Sequence, residues 1–317
     1  MPIYYGKIKA LSPITHGAVD IDIENKTNKS EIRRLPFIVE GEEETKTVYV
    51  PIISGNSIKG TTRRNLAQEI REVLGPEEFD KLDDKVKYLI AAGGASTNAK
   101  PVVVGQAVYT ELRRKLPFIS LLGGVYMGHY LKGLLRVGFM VPVIKETVPL
   151  FSHALGCVGL DENPDRYPEL ADLHSNEYMG YTRFKTELAD AGDDEEDVES
   201  QQQMIYFTKL IPPGTTLFHS FTLSPSASSL EESCFYAFLK IFAKAGAVGG
   251  SIAKGHGQIK CNYYTENGEL IDLACMEEKE KEFWNYIKGN KEEILYELMN
   301  LDKKLQWTGG DDKSQKQ

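Results

Sequence analysis

Short apolar or alternating stretches recur along the chain, and each of them predicts a strand. They are residues 4–11, 48–53, 134–144, 204–210, 217–223 and 258–264. Two stretches repeat apolar residues every three to four positions, which predicts amphipathic helices. They are 58–74, which ends at Gly75-Pro76, and 230–245, and a further helix is predicted over 76–92. The resulting order is strand, helix, strand in each half of the chain.

A strand–helix–strand unit in each half is what a ferredoxin-like or RRM-like sheet requires. We therefore predict an α+β protein with one discontinuous sheet domain, formed by residues 1–75, 119–149 and 205–265. The remaining segments are predicted to be additions to it. They are a hairpin loop at 18–47, a helical or finger insertion at 76–118, a polar insertion at 150–204 without a core pattern, and a helical tail at 266–317 whose end is disordered.

The net charge of −9 is distributed unevenly along the chain. Residues 161–200 hold fourteen acidic and three basic residues, a local balance of −11, which leaves +2 for the rest of the chain. The acidic segment is typical of a solvated loop, and it could also repel nucleic acid away from a binding groove. The remainder of the chain is mildly basic, so a nucleic-acid partner is compatible with the composition.

The cysteines and the apolar segments exclude several classes of protein. The four cysteines are scattered without a Cys-x-x-Cys pair, so neither a zinc site nor a disulfide framework is predicted. We expect no metal and no cofactor. No segment approaches eighteen apolar residues and no leader pattern opens the chain, which predicts a cytoplasmic protein without a membrane partner.

The first chemical motif is Ser54-Gly55-Asn56-Ser57-Ile58-Lys59-Gly60, followed by Arg63-Arg64. It joins a strand to a helix, and a helix start offers free amide groups and a partial positive charge to a phosphate. The order Lys59-Gly60 is the reverse of a nucleotide-binding P-loop, so an ATPase is not predicted. Lys59 and Arg63 are four positions apart, so both are expected on one exposed face of this helix. Taken alone, the motif is more typical of a capped helix with a solvated basic face than of a phosphate site.

The second motif is Gly249-Gly250-Ser251-Ile-Ala-Lys254-Gly255-His256-Gly257, in a predicted loop. Its glycines allow close approach of a backbone, and Lys254 supplies a charge. His256 is either a hydrogen-bonded loop residue or a general base. The motif therefore leaves both a binding loop and a catalytic loop open.

As a pair, the two motifs resemble the repeat-associated (RAMP) superfamily of CRISPR proteins. The likeness covers about thirty residues in the motifs, together with Leu121-Leu122-Gly123-Gly124 and the overall length. Within the superfamily, the sequence is most similar to the backbone subunit that oligomerises along guide RNA in class 1 effector complexes. The type IV version is favoured, with type I-D and type III relatives as alternatives.

The resemblance implies a hand-shaped protein with an RRM-like palm, a helical lobe and a protruding thumb hairpin, for which 150–204 is the candidate. It implies guide RNA, target DNA or RNA, other effector subunits and further copies in a head-to-tail helical assembly as partners. Two sets of binding residues follow. The RNA-binding set is Asn28, Arg33, Arg34, Asn56, Ser57, Lys59, Arg63, Arg64, Gly249, Gly250, Ser251, Lys254 and His256; the base-stacking thumb set is Tyr181, Arg183, Phe184 and Lys185.

Catalysis is the main alternative to a binding role. Metal-dependent RNA-cleaving relatives carry an aspartate in the loop after the first strand, and alignment on Ile32-Arg33 places Asn28 there. An amide is a poor substitute for a metal-bound carboxylate, which leaves Asp20, Asp22 and Glu24 of the same loop as the alternative carboxylates. Metal-free cleavage needs a general base, for which His16 and His256 are the candidates. We therefore predict a protein without catalytic residues, and an endoribonuclease of the same superfamily as the alternative.

Overall fold

The computed structural model describes residues 1–17, 29–40, 44–94, 102–174, 177–181, 205–273 and 276–306. The strands are β1 (Ile3–Ala10), β2 (Lys29–Ser30), β3 (Arg34–Glu40), β4 (Thr45–Pro51), β5 (Val102–Val103), β6 (Gly124–Tyr126), β7 (His129–Leu131), β8 (Leu135–Val137), β9 (Val141–Pro142), β10 (Glu177–Tyr181), β11 (Ile205–Lys209), β12 (Thr216–Leu223), β13 (Ile259–Thr265) and β14 (Leu270–Ile271). The helices are α1 (Gly55–Leu74), α2 (Pro76–Asp80), α3 (Asp84–Ala92), α4 (Gln106–Lys115), α5 (Pro117–Leu122), α6 (Val148–Cys157), α7 (Leu170–His174), α8 (Ser229–Ala245), α9 (Glu277–Gly289), α10 (Lys291–Met299) and α11 (Leu301–Gln306).

The main sheet has the order β14-β13-β1-β12-β8, and β9 also pairs with β12. All these pairs are antiparallel. The chain passes from β1 through α1 to β8 and β12, and then through α8 to β13. This is the β-α-β-β-α-β connection of ferredoxin-like sheets. The α+β prediction with a ferredoxin-like palm is therefore confirmed.

The inner face of the palm sheet packs against α1 and α8. In β1 the alternating residues Tyr4, Ile8 and Ala10 are buried, as the two-residue period requires. Helix α8 begins with a capping box, in which the Ser228 side chain and Glu231 satisfy each other's backbone N–H groups. Its phenylalanines then meet the rings of Phe221 and Tyr263 on the sheet.

The outer face of the palm sheet is partly covered by α6. Phe151 of this helix stacks on Phe218 of β12 with ring centres 5.0 Å apart, and Val148 and Leu155 are fully buried. The expectation that 150–204 lacks core residues is therefore wrong at its start. It failed because the apolar residues of α6 are followed by a long polar stretch and become a core only against the sheet.

Smaller sheets lie outside the palm sheet. Strands β3 and β4 pair antiparallel over 34–51, which overlaps only the second part of the hairpin loop predicted at 18–47, and residues 18–28 of that prediction lie outside the described ranges. Strands β10 and β11 pair antiparallel, and β2 pairs with β11 in parallel. One small sheet thus joins the strand that precedes β3 to the two strands on either side of residues 182–204 in the chain.

The structure corrects three predicted elements. The helix expected over 76–92 is divided into α2 and α3, because Asp83 caps a new helix by accepting a hydrogen bond from the Lys85 amide at 2.8 Å. The strand expected over 134–144 is divided into β8 and β9. The C-terminal helices belong to the core, since Phe283 and Ile287 of α9 are fully buried and α9 packs on α8. Across the described ranges, no helix combines the length and apolar character that crossing a membrane requires.

Candidate nucleic-acid interface

The start of α1 is held in place by two neighbouring segments. Ser54 caps the helix, because its hydroxyl accepts a hydrogen bond from the Ser57 amide at 3.3 Å. The Ser54 amide donates to Nε2 of His16 at 3.2 Å. Gly55 lies so close to the chain after β8 that a Cβ there would be 2.2 Å from the Val137 carbonyl oxygen. The glycine is therefore required by a close backbone approach, and Asn56 follows it on the exposed surface.

The loop after β1 connects this helix start to the glycine loop, residues 246–257. The Thr15 carbonyl accepts from the Gly250 amide at 2.7 Å, and the Thr15 hydroxyl donates to the Gly250 carbonyl at 3.0 Å. Gly249 has a φ of +82°, and a Cβ there would lie 2.2 Å from the Thr15 carbonyl oxygen. Ser57 and Gly249 also line one small crevice. The structure thus brings the two sequence motifs, nearly two hundred residues apart, onto one surface.

Within the glycine loop, the predicted binding residues differ in exposure. Ser251 and Lys254 lie on the exposed side of the loop, and Ser251 has a left-handed φ of +57°. The loop is closed by hydrogen bonds from the Val248 amide to the Gly257 carbonyl and from the Gly257 amide to the Pro13 carbonyl. His256 is buried, which fits the loop-residue interpretation of this histidine better than that of an accessible base.

Arg63 is not where the spacing with Lys59 placed it. Its guanidinium is buried and donates from Nη2 to the carbonyls of Leu122 and Gly123, both at 2.8 Å. Burial lowers its pKa to about 10. The expectation that Arg63 lies exposed beside Lys59 is wrong, because the helical lobe formed by α3 and α5 covers this turn of α1. Arg63 instead fastens α1 to the Leu121–Gly124 segment.

Lys59 and Arg64 are more accessible than Arg63. Lys59 is half-buried and donates to the Leu135 carbonyl at 3.2 Å. Burial, with the nearby Arg63 charge second, lowers the pKa of Lys59 to about 8. Arg64 is exposed and donates to the Thr61 hydroxyl at 3.1 Å. Arg64 is therefore a cation that a polyanion can reach from solvent, and Lys59 is accessible in part.

Arg33 and Arg34 lie next to the same surface. The Arg33 amide donates to the His16 carbonyl at 2.7 Å, which sets Arg33 beside the loop that holds the helix start. Burial, and then the Arg33 charge, lowers the pKa of His16. Arg34 begins β3 opposite Pro51 and is half-buried. Arg33 therefore lies in the segment next to the helix start, and Lys59 and Arg64 lie in the first turns of α1 itself.

Four predicted residues lie outside the described ranges: Asn28, Arg183, Phe184 and Lys185. Tyr181 ends strand β10, and only its backbone is described. Their predicted contacts with RNA stay predictions. Within the described ranges no group of three or more His, Cys, Asp or Glu side chains could hold a metal ion.

Phe218, an aromatic residue on the outer face of the palm sheet, is not available for base stacking in the manner of an RRM. Such domains stack bases on aromatic side chains of an open sheet face. Here Phe218 is only 5% exposed because α6 covers it. Phe139 is absent from the predicted binding residues. Its side chain is 50% exposed, and it directly follows Val137 and Gly138, whose carbonyls lie close to Gly55. Its only sequence signal is an aromatic residue in the short Gly138-Phe139-Met140 connection.

Comparison with known proteins gives the same superfamily that the two motifs indicate. The family model described as the RAMP superfamily matches residues 7–260, which include both of them. The chain belongs to the RAMP superfamily. No curated protein matches the sequence. Among solved structures, a chain titled "Type IV-B CRISPR Complex" is 20% identical, with a TM-score of 0.43, and the match covers 82% of this chain and 90% of that chain.

Proposed function

We propose that this protein is a guide-RNA-binding subunit of a CRISPR effector complex, of the type IV kind that the sequence resemblance favours. The observation that carries the proposal is the junction of the two motifs through Thr15 and His16. It produces a surface with exposed backbone and a helix start, next to the exposed Arg64 and the partly accessible Arg33 and Lys59. These are the groups that follow a phosphate backbone without reading its sequence.

A binding role is supported over catalysis by the environment of His16. The Ser54 amide must donate its proton, so Nε2 of His16 accepts it and the ring proton lies on Nδ1. The lone pair that a general base needs is therefore engaged in holding α1. The lowered pKa of His16 agrees with a neutral ring in this position. The RAMP-type endoribonuclease is kept as the alternative outcome of the experiment below.

Assembly with further copies, head to tail, is the second part of the proposal. The β3–β4 hairpin packs one face on the protein through Leu35, Phe37 and Val48. Its opposite face presents Ile38 and Tyr49, which are 65% and 57% exposed. An apolar face on a projecting hairpin is suited to burial against a neighbouring subunit. A contact between different surfaces of identical copies gives an open helical array.

The test is RNA binding by the double variant Arg33→Ala/Arg64→Ala, measured over a series of salt concentrations. Removing two phosphate contacts should flatten the slope of log affinity against log salt by about 1.4 for single-stranded RNA. The matched control is Lys288→Ala/Lys291→Ala, which removes two exposed charges from the C-terminal helices and should leave the slope unchanged.

Three results bear on the alternatives. Wild-type protein that elutes as a large particle with absorbance at 260 nm supports RNA-bound assembly, whereas an RNA-free monomer opposes it. An equal slope in both double variants contradicts the proposed surface. RNA that stays intact with Mg²⁺ or with chelator supports a binding subunit; metal-independent cleavage that His256→Ala abolishes favours the endoribonuclease.

A further inference from the structure

Phe139 is an exposed aromatic residue at a fixed position. Half of its surface is open to solvent, although burying such a side chain is worth about 2 kcal/mol. The backbone on either side is bound to other strands. The Gly138 amide donates to the Ser220 carbonyl at 2.8 Å, and the Met140 amide donates to the Ile53 carbonyl at 2.9 Å. The ring is therefore carried by a rigid connection between two paired segments.

This connection also contacts the start of α1. The carbonyl oxygens of Val137 and Gly138 would lie 2.2 and 2.7 Å from a Cβ on Gly55. Ile53 and Met140 exchange two backbone hydrogen bonds, with each amide donating to the other's carbonyl, and Ile53 immediately precedes the helix cap Ser54. Phe139 thus lies between Gly138 and Met140, and each of these neighbours contacts the strand-to-helix motif. An aromatic ring and the phosphate-binding groups share one edge of the protein.

A surface that follows only phosphates leaves the bases of a single strand in water. Stacking one base on an aromatic ring contributes about 1–3 kcal/mol and tolerates any base. Phe218 of the palm sheet cannot supply this contact, because α6 covers it. Phe139 is rigid, accessible and beside the helix start, so it has the properties that such a contact requires.

We infer that Phe139 stacks on an unpaired base of the RNA strand bound at the start of α1. The inference rests on the proposed function, because it takes single-stranded RNA as the ligand. It adds a base contact to a surface otherwise built from phosphate contacts.

The experiment compares wild type, Phe139→Ala and Phe139→Trp on an unstructured single-stranded RNA. Phe139→Ala should lower affinity about tenfold, and Phe139→Trp should restore it. The salt dependence should not change, because no phosphate contact is lost. On the same RNA carrying abasic sites throughout, wild type and Phe139→Ala should bind equally.

The control is Tyr130→Ala, which removes a ring of similar exposure from strand β7, and this variant should bind RNA like wild type. Phe139→Leu, which keeps an apolar side chain without a ring face, should bind as weakly as Phe139→Ala. Equal binding by wild type and Phe139→Ala, or an equal loss on abasic RNA, would overturn the inference and leave the proposed function standing. A wild-type protein without RNA affinity would reject both.

Discussion

The basic residues of the first motif differ in their exposure to solvent in the folded protein. Within residues 54–59, Asn56 is exposed and Lys59 is partly accessible, whereas Ser54, Gly55 and Ile58 are buried. One turn further along α1, Arg63 is buried and its charge is used to bind the carbonyls of the Leu121–Gly124 segment. Arg64, its direct neighbour, is exposed again. Residue type alone therefore does not separate a ligand-binding cation from a structural one, since the packing of a second lobe decides which it becomes.

The largest expected effect comes from Arg63→Ala. It would leave the Leu122 and Gly123 carbonyls without their donor inside the protein and open a cavity, so we expect a loss of about 3 kcal/mol in the free energy of unfolding. Urea unfolding measures it. Arg64→Ala is the matched control, with a stability change below about 0.5 kcal/mol but weaker RNA binding. Equal stability of the two variants would contradict the structural role of Arg63.

A smaller loss is expected for Gly249→Ala in the glycine loop. The added Cβ would be 2.2 Å from the Thr15 carbonyl oxygen, in addition to the strain of a φ of +82°, so we expect about 2 kcal/mol by thermal or urea unfolding. Gly255→Ala shares the strain, with a φ of +85°, but its Cβ meets nothing within 4 Å. It should cost about 1 kcal/mol. Equal losses would mean that the contact with Thr15 does not fix the loop.

The smallest effect concerns pH and Lys59. Only its protonated form attracts phosphate, and its pKa of about 8 in the free protein means that this charge is present at pH 7 and lost as the pH rises above 8. Wild type should therefore lose about threefold in RNA affinity between pH 7 and pH 9 relative to Lys59→Gln. Fluorescence anisotropy at constant ionic strength measures this. Parallel pH profiles for the two proteins would show that Lys59 does not contact the RNA.

Local sequence patterns determined much of the fold. The helix that ends before Gly75, helix α8 and the strands β12 and β13 were predicted within a few residues, because each depends on a short-range period and on its own caps. The pairing of the two motifs also predicted the superfamily, which the family model confirms. The sequence could not show that α6 would cover the sheet, since its apolar residues become a core only against Phe218 and its neighbours on the sheet.

The interface itself was decided by tertiary structure. Sequence identified the residue types that bind phosphate, but only the fold joins the motifs through Thr15 and His16. Only the fold removes Arg63 from the surface and leaves Phe139 on it. The physical reason is that helix and strand periods act between near neighbours, whereas burial depends on which distant segments pack together. The sequence of this protein therefore specifies its elements and its family, and the long-range packing specifies which of its cations and aromatic rings remain available to a ligand.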